Sequence, residues 1–434
     1  MDISAMRSLK PQLRRYLKQF DDCFARKDTR SHLPVYIEGQ LSDLERKSIE
    51  PIALRAGVAV RTLQEFLSQH RWDEAQMRER IQQRVAKRAE SLPRIGLIDD
   101  TGVAKKGAKT PGVQRQYCGA LGKVDNALVT VHVGYASGEF HCLLDGEVFL
   151  PRAWEADRAR CREAGIPDAV GYRPKTEMAL ALVDRASGNG VVFDWLTFDA
   201  GYGDKPPFLR ALDSRGQRFI GEVAEDYRVW VKAPRVTERS YRRGGRGRKA
   251  NTPRLVAGSA QPQPVSELIQ RHRHFRAQPW QRFRVKDGEK GPQVWEVKHA
   301  RVSPPNAAGL PDRRYHLLVA RNALDHEEIK YFVSNADAET PLETLLLVAF
   351  SRWRIERCFE DGKGEVGLDH YEGRRWLGLQ RHLILSAVSY LFLAEQQQRL
   401  GKKTSRTHRV SGSYRPLGDH TGMVVERARL EQRV

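Results

Sequence analysis

"TEMALALVDRASGNGVVFDWLTFDAGYGDKPPFLRALDSRGQRFIGEV" spans residues 176–223, and the order of its patterns decides the fold class. The first segment has helical spacing, and "SGNG" turns the chain into "VVFDWLTF", an apolar strand that ends on Asp199. "PPFLRALDSRG" is helical again and "QRFIGEV" is another strand. Strands alternating with helices predict an α/β sheet with helices packed on its faces.

Working upstream, "RIGLIDDTG" at 94–102 is a short apolar run that ends in two carboxylates and a glycine turn, while "NALVTVHVGYA" and "EFHCLLDGEVFL" alternate as paired strands do. Residues 1–90 read as helical. Within them, Ile52, Ala53, Ala56 and Val58 lie about a turn at Gly57, and Leu63, Phe66 and Leu67 follow, as in a helix-turn-helix. A plain helical hairpin fits the same spacing.

Downstream, 224–315 breaks the α/β rhythm. "RVTERSYRRGGRGRKANTPR" is a basic Gly-rich loop, and "HFRAQPWQRFRVKDG", "QVWEVKHARV" and "RYHLLVAR" read as twisted antiparallel strands, together a β-rich insertion. "KYFVSNA" resumes a core strand, and 341–361 and 376–398 read as two long helices. The tail from 400 lacks apolar periodicity and is expected to be flexible. The expected segments are 1–90 (helical, helix-turn-helix-like), 91–223 (α/β core, first part), 224–315 (insertion with the basic loop), 316–399 (core, second part) and 400–434 (basic tail).

With 434 residues the chain has material for two or three domains. A formal charge of +20 predicts attraction to polyanions, nucleic acid first. The five cysteines are scattered without a CxxC pair, so neither a disulfide framework nor a structural zinc site is indicated, and reduced, packed thiols are expected. The N-terminus has no secretory h-region. The longest apolar run, at 383–394, falls short of the roughly 18 residues that cross a bilayer. The positive charge is dispersed rather than concentrated on one amphipathic helix, so the expectation is a cytoplasmic protein without a membrane partner.

Asp99 or Asp100 after "GLI" and Asp199 after "WLTF" sit at strand ends, where α/β sheets bind ligands. Either could serve a polar turn through Asx hydrogen bonds. A third carboxylate, Glu356, lies in "FSRWRIERCFEDGKGE" (350–365), where Arg352, Glu356 and Lys363 fall within roughly 40° of one another around a helix. Arg and Glu four apart is also an ordinary salt-bridge spacing. Carboxylates that converge repel unless a cation lies between them, and Mg²⁺ prefers such oxygen ligands together with phosphates. Two ions held by two Asp and one Glu could activate water and stabilise the leaving 3′ oxygen of a phosphodiester. Arg352 and Lys363 would then hold the phosphate backbone.

The strings "LIDDTGVAKKG", "VQRQYCGALGKVDNA", "TFDAGYGD" and "RWRIERCFEDGKGEVGLDHYEGR", with "YIEGQLSDLERKSIEPIALRAGV" before them, resemble the DDE transposases of bacterial insertion sequences, specifically the IS-four-related group and its IS-seven-oh-one branch. The resemblance runs from about residue 35 to 395. It implies an RNase H-like core with an acidic triad of Asp99, Asp199 and Glu356, Asp100 being the alternate for Asp99, and a β-rich insertion between the second and third acids. It also implies two Mg²⁺ ions, with Mn²⁺ as a substitute, double-stranded DNA as partner and a homodimer in the DNA complex. The group's Tyr, Arg, Glu and Lys signature falls here on Ala349, Arg352, Glu356 and Lys363, so its tyrosine is missing. Further expected DNA contacts are Lys105 and Lys106 after the first acids and Arg242, Arg243, Arg246, Arg248 and Lys249 in the basic loop. The expected activity is binding of the element ends, metal-dependent cleavage and transfer of the 3′-OH ends into target DNA. Two rivals remain: a catalytically inactive, transposase-derived DNA-binding protein, which metal-dependent nicking would separate, and an RNase H-like nuclease with a cellular role.

Overall fold

The computed structural model describes residues 3–88, 93–237, 252–288, 291–408 and 426–427. They group into two compact units, residues 1–194 with 353–421 and residues 195–352 with 422–434. The N-terminal helices and the first strands fall in the same unit.

Unit one opens with helices α1 (Ile3–Leu17), α2 (Lys27–Gln40), α3 (Ile49–Ala56), α4 (Val60–Ser68) and α5 (Glu74–Ala86). Gly57 ends α3 at φ +65°, a left-handed conformation that frees the chain to turn at once into α4. Ile52, Ala53, Leu63, Phe66 and Leu67 are all buried, as their spacing predicts.

Four strands follow: β1 (Ile95–Ala104), β2 (Gln114–Cys118), β3 (Lys123–Ser137) and β4 (Phe140–Val148). The long β3 is the spine of this sheet. One edge pairs with β1, Ile95 opposite Ala136 through Ala104 opposite Ala127; the other edge pairs first with β2 and then with β4. Here the sequence expectation needs correction: Asp99 and Asp100 lie in the middle of β1, not at its C-terminal end. "TGVA" has turn-like composition, but β3 offers backbone partners along its whole length and draws those residues into the ladder.

Helix α6 (Lys175–Gly188) precedes the end of the first stretch of unit one. Within unit two lie β5 (Trp195–Phe198), α7 (Pro206–Ser214), β6 (Phe219–Val223), β7 (Gln281–Gly288), β8 (Gly291–Val302), β9 (Tyr315–Asn322), β10 (Ile329–Ser334) and α8 (Leu342–Ala349). Strands β7 to β10 form an antiparallel meander whose last strand pairs antiparallel with β6, and β6 pairs in parallel with β5. The segment "HFRA", expected in a strand, belongs to a short helix, Arg273–Ala277, with Phe275 buried. The buried Glu296 of β8 is held by Arg282 at 2.8 Å and Arg321 at 2.6 Å, which satisfies an otherwise costly interior charge.

The chain returns to unit one with α9 (Trp353–Val366) and α10 (Trp376–His408). The single helix expected over 341–361 is therefore two, interrupted at Phe350–Arg352. Phe350 packs against Trp295 at 4.9 Å and Phe332 at 5.6 Å between ring centroids, and this aromatic cluster overrides the local helical propensity. Helix α10 runs past 400, where the tail was expected to begin. Its segment Trp376–Leu400 is long and apolar enough to cross a membrane, but the most apolar 18 residues of it are 83% buried, as suits a core helix.

The N-terminal helices grip α10 through buried polar groups. Tyr16 donates to the Val388 carbonyl at 2.8 Å, and Gln40 bonds both Ser386 (2.9 Å) and Ser389 (2.8 Å). His382 Nε2 faces the carbonyls of Gly367 and Leu368 at 3.1 Å and must donate, so Nδ1 accepts from Tyr36 at 2.9 Å. Arg84 forks onto Glu395 at 2.6 and 2.8 Å. All five cysteines are free and buried, as expected.

Candidate functional site

In unit one the two neighbouring acids of β1 part company. Residues directly opposite in an antiparallel ladder share a face of the sheet. Leu97 is opposite Gly134, Asp99 opposite His132 and Thr101 opposite Thr130. Helix α9 covers that face. A Cβ placed on Gly134 would come within 2.9 Å of Ile355 Cδ1, the His132 ring meets Phe359 edge-on at 5.2 Å, and Lys363 Nζ donates to the Gly102 carbonyl at 3.2 Å. Ile355, Phe359 and Lys363 recur every four residues, about 6 Å along a helix, and match the ~6.8 Å step between alternate strand residues. Asp99 thus lies on the side of β1 that faces α9, the helix whose first turn exposes Glu356. Asp100 points to the opposite face and pairs with Lys175 at the start of α6, 2.9 Å away. Burial pushes the imidazole of His132 down to about 3, so it is neutral beside Asp99.

The stripe expected on one helix is divided. Lys363 lies on the sheet-facing line of α9, whereas Arg352 precedes the helix, in the turn that ends unit two.

A cleft of about 950 Å³ opens within unit one, where Lys105, Lys106 and Lys363 meet. Arg46, Lys109 and Arg374 complete six cationic side chains on its walls, against three acidic ones, Asp125, Asp369 and Glu372. Lys105 Nζ donates to the carbonyls of Asp369 (3.1 Å) and Tyr371 (2.7 Å), tying the end of β1 to the segment after α9. Burial pushes the ammonium groups of both Lys105 and Lys363 down from their ordinary value. Lys106 and Arg374 are exposed and form no salt bridge among the described residues.

In unit two, Asp199 directly follows β5 and caps the one-turn helix Ala200–Gly203, its carbonyl accepting from Tyr202 (3.2 Å) and Gly203 (2.9 Å). Phe198 is level with Gly221 in the parallel pair, so Asp199 comes level with Glu222 one step on. Glu222 lies 3.5 Å from Arg352 and 3.9 Å from Lys330. Within either unit, no three Asp, Glu, His or Cys side chains among the described residues are gathered closely enough to hold an ion. The loop cations Arg242, Arg243, Arg246, Arg248 and Lys249 fall outside the described residues. On α4, the second helix of the expected helix-turn-helix, Arg61 is exposed and paired with Glu65 at 2.7 Å.

Residues 19–292 match the family described as DDE superfamily endonuclease. The chain belongs to the DDE superfamily of endonucleases. A probable transposase for insertion sequence element IS701, from Microchaete diplosiphon, is 33% identical over 196 residues, which cover 44% of this chain and 48% of that protein. The chain therefore spans about half the length of this curated relative, and the match falls in the branch that the sequence motifs resemble. The NurA nuclease from Sulfolobus solfataricus aligns over 78% of this chain and 93% of its own at 12% identity, with a TM-score of 0.25, too low a likeness to carry an argument. The mixed α/β architecture of this DDE endonuclease is consistent with an RNase H-like fold.

Sequence reasoning missed three partners of the DDE endonuclease's acids and signature residues: Lys175 on Asp100, His132 opposite Asp99, and Glu222 beside Arg352. Each is remote in sequence from the group it meets. Only the alternation in "VTVHVGY", which puts a histidine in an otherwise apolar strand, carried a signal.

Proposed function

We propose that this DDE endonuclease is the transposase of an insertion sequence: it binds the ends of its element as double-stranded DNA, cleaves them by metal-dependent phosphodiester hydrolysis and transfers the freed 3′-OH ends into target DNA. The observation that carries the reading is the placement of Asp99 on the face of β1 covered by the Glu356-bearing helix, in the same unit as a lysine-lined cleft. Asp99, Asp199 and Glu356 form the catalytic set. Their all-oxygen donor chemistry fits Mg²⁺, with Mn²⁺ as a substitute, and two ions so held would supply a nucleophilic water at neutral pH and neutralise charge on the phosphodiester.

The chain's own groups hold the substrate. Lys106 offers an exposed ammonium to a phosphate. Lys105 and Lys363 anchor the cleft walls to backbone carbonyls while adding positive potential. Arg352, beside Glu222, and the basic loop with Arg242, Arg243, Arg246, Arg248 and Lys249 give further phosphate contacts. The α3–α4 pair contributes to recognition of the ends, and the active species is a homodimer on DNA in the cytoplasm.

The test is nicking of a labelled element-end duplex in Mg²⁺. Glu356→Ala and Asp199→Ala should abolish cleavage and leave binding of the duplex largely intact. Cleavage by Glu356→Ala at near the parental rate would refute the assignment. Binding without metal-dependent nicking by the parental chain would favour the inactive, DNA-binding reading.

A further inference from the structure

The hairpin of β2 and β3 carries an apolar surface that is left exposed among the described residues. Tyr117 is 64% exposed, Val124 is 55% and Leu121, at the turn, is 44%. Single exposed apolar residues are ordinary, but three on one short hairpin mark a contact surface. Tyr117 and Val124 are directly opposite in the ladder, as are Arg115 and Asn126 two residues along, so these four side chains share one face.

That face adjoins the cationic cleft. Leu121, Asp125 and Asn126 belong to the cleft wall, and the Asn126 side-chain amide donates to the carbonyls of Lys105 (2.5 Å) and Gly107 (3.1 Å) in the loop that bears Lys106. Six cations against three acids draw a polyanion into the cleft, and the Tyr117 ring, on the hairpin face it shares with the cleft residue Asn126, offers a flat apolar surface next to it. A nucleic-acid strand with an unstacked base satisfies both, its phosphates on the cations and its base on the ring. A fully paired duplex would present only phosphates there. A purely apolar protein partner would leave the cleft cations unmatched.

We infer that Tyr117, with Val124 and Leu121, is a stacking platform for an unpaired base of a DNA strand whose backbone lies in the Lys106–Arg374 cleft. This deepens the proposed function and rests on it. Stacking onto an aromatic ring is tolerant of base identity, so the platform recognises an opened strand rather than a sequence.

The experiment compares binding of the full chain to two probes: a blunt duplex, and the same duplex carrying a short single-stranded tail with a fluorescent adenine analogue. Tyr117→Ala should weaken binding of the tailed probe by about 10-fold, the scale of one lost stacking contact, and leave the blunt duplex unchanged. It should also remove the change in analogue fluorescence on binding, and Tyr117→Phe should restore both. Lys106→Ala and Arg374→Ala should weaken both probes and lower the salt slope by about 0.9 for each lost phosphate contact. Equal effects of Tyr117→Ala on the two probes, or none on either, would overturn the platform while leaving DNA binding intact. A change of oligomeric state in Tyr117→Ala would overturn it in favour of a contact between copies of the chain. Failure of the parental chain to bind either probe would sink the proposed function and the platform together. A thermal melt of each variant separates these outcomes from misfolding, to which an exposed side chain contributes little.

Discussion

Gly134→Ala tests how tightly the position of Glu356 is coupled to the sheet. A methyl group at residue 134 would sit 2.9 Å from Ile355 Cδ1 and 3.0 Å from the carbonyl oxygen of Cys142. The carbonyl is main chain, held by the β3–β4 pairing on either side of a register shift between Val133 and Gly134, so it yields less readily than a side chain. Ile355 is fully buried, so its side chain moves only against other packed groups. Carbon atoms rest at ~3.5–4.0 Å, so the Ile355 side chain and the first turn of α9 that carries it must together give way by about 0.6–1.1 Å. Overpacking of this kind costs roughly 1–3 kcal/mol, read as a fall in Tm of a few degrees. Glu356 is the next residue along the helix, and a displacement near 1 Å at a catalytic group costs on the order of 10²-fold in rate. Gly134→Ala should therefore slow nicking by about that factor while duplex affinity stays within twofold of the parental value, roughly 0.4 kcal/mol. The second substitution Ile355→Val deletes the clashing Cδ1 and should restore most of the lost rate and part of the lost Tm. A double variant as slow as Gly134→Ala, or a single variant that nicks normally, would refute the coupling of Ile355 and Glu356 to the β1–β3 face.

The split between the paired acids predicts that Asp99→Asn eliminates Mg²⁺-dependent nicking whereas Asp100→Asn, which only loosens the contact with Lys175, weakens it; the reverse ranking on a labelled end duplex would move the role to Asp100. His382 is pushed down to about 4 by burial, so it is neutral when folded and binds a proton more readily when unfolded. The stability it confers is complete above its unfolded pKa of about 6.5 and is lost as pH falls towards 4, at roughly 1.4 kcal/mol per unit. Buried His132 adds to the same dependence, so denaturant melts across that window should show at least this slope, and His382→Gln, less stable at neutral pH, should reduce it by about 1.4 kcal/mol per unit. Deleting residues 239–250 should reduce affinity for end DNA and its salt dependence in a binding titration, since the segment is too rich in Arg and Gly to bury a core.

The α/β alternation of 176–223 was legible because each apolar run is bounded by a turn signal and has the right period. The helical hairpin about Gly57 was legible for the same reason. The length of β1 was not, because Thr101 to Ala104 join the ladder through backbone bonds to β3 that side-chain composition does not encode. Nor was the interruption at Phe350–Arg352, which contains no glycine or proline; it follows from the capture of Phe350 by two rings, one of them more than fifty residues away. Spacing alone placed Arg352, Glu356 and Lys363 on one stripe, but the line that touches the sheet is Ile355, Phe359 and Lys363. The carboxylate candidates were named from the sequence, yet which of Asp99 and Asp100 faces α9 depends on strand register, a property of pairs of segments. Lys105, Lys106 and Lys363 were chosen individually as phosphate ligands, and only folding gathers them in one cleft with Arg46 and Arg374.

The grip of the N-terminal helices on α10 has a consequence for synthesis of the chain. Gln40 and Tyr36 wait for Ser386 and His382, each 346 residues later. At roughly 5–20 residues per second, translation leaves those buried polar groups without their partners for about 20 to 70 seconds. Throughout that interval the first helices can fold locally but cannot close their core, so they depend on chaperones or on remaining partly open. A message cut short anywhere before codon 376 yields an N-terminal half that cannot be completed, and proteolysis should remove it.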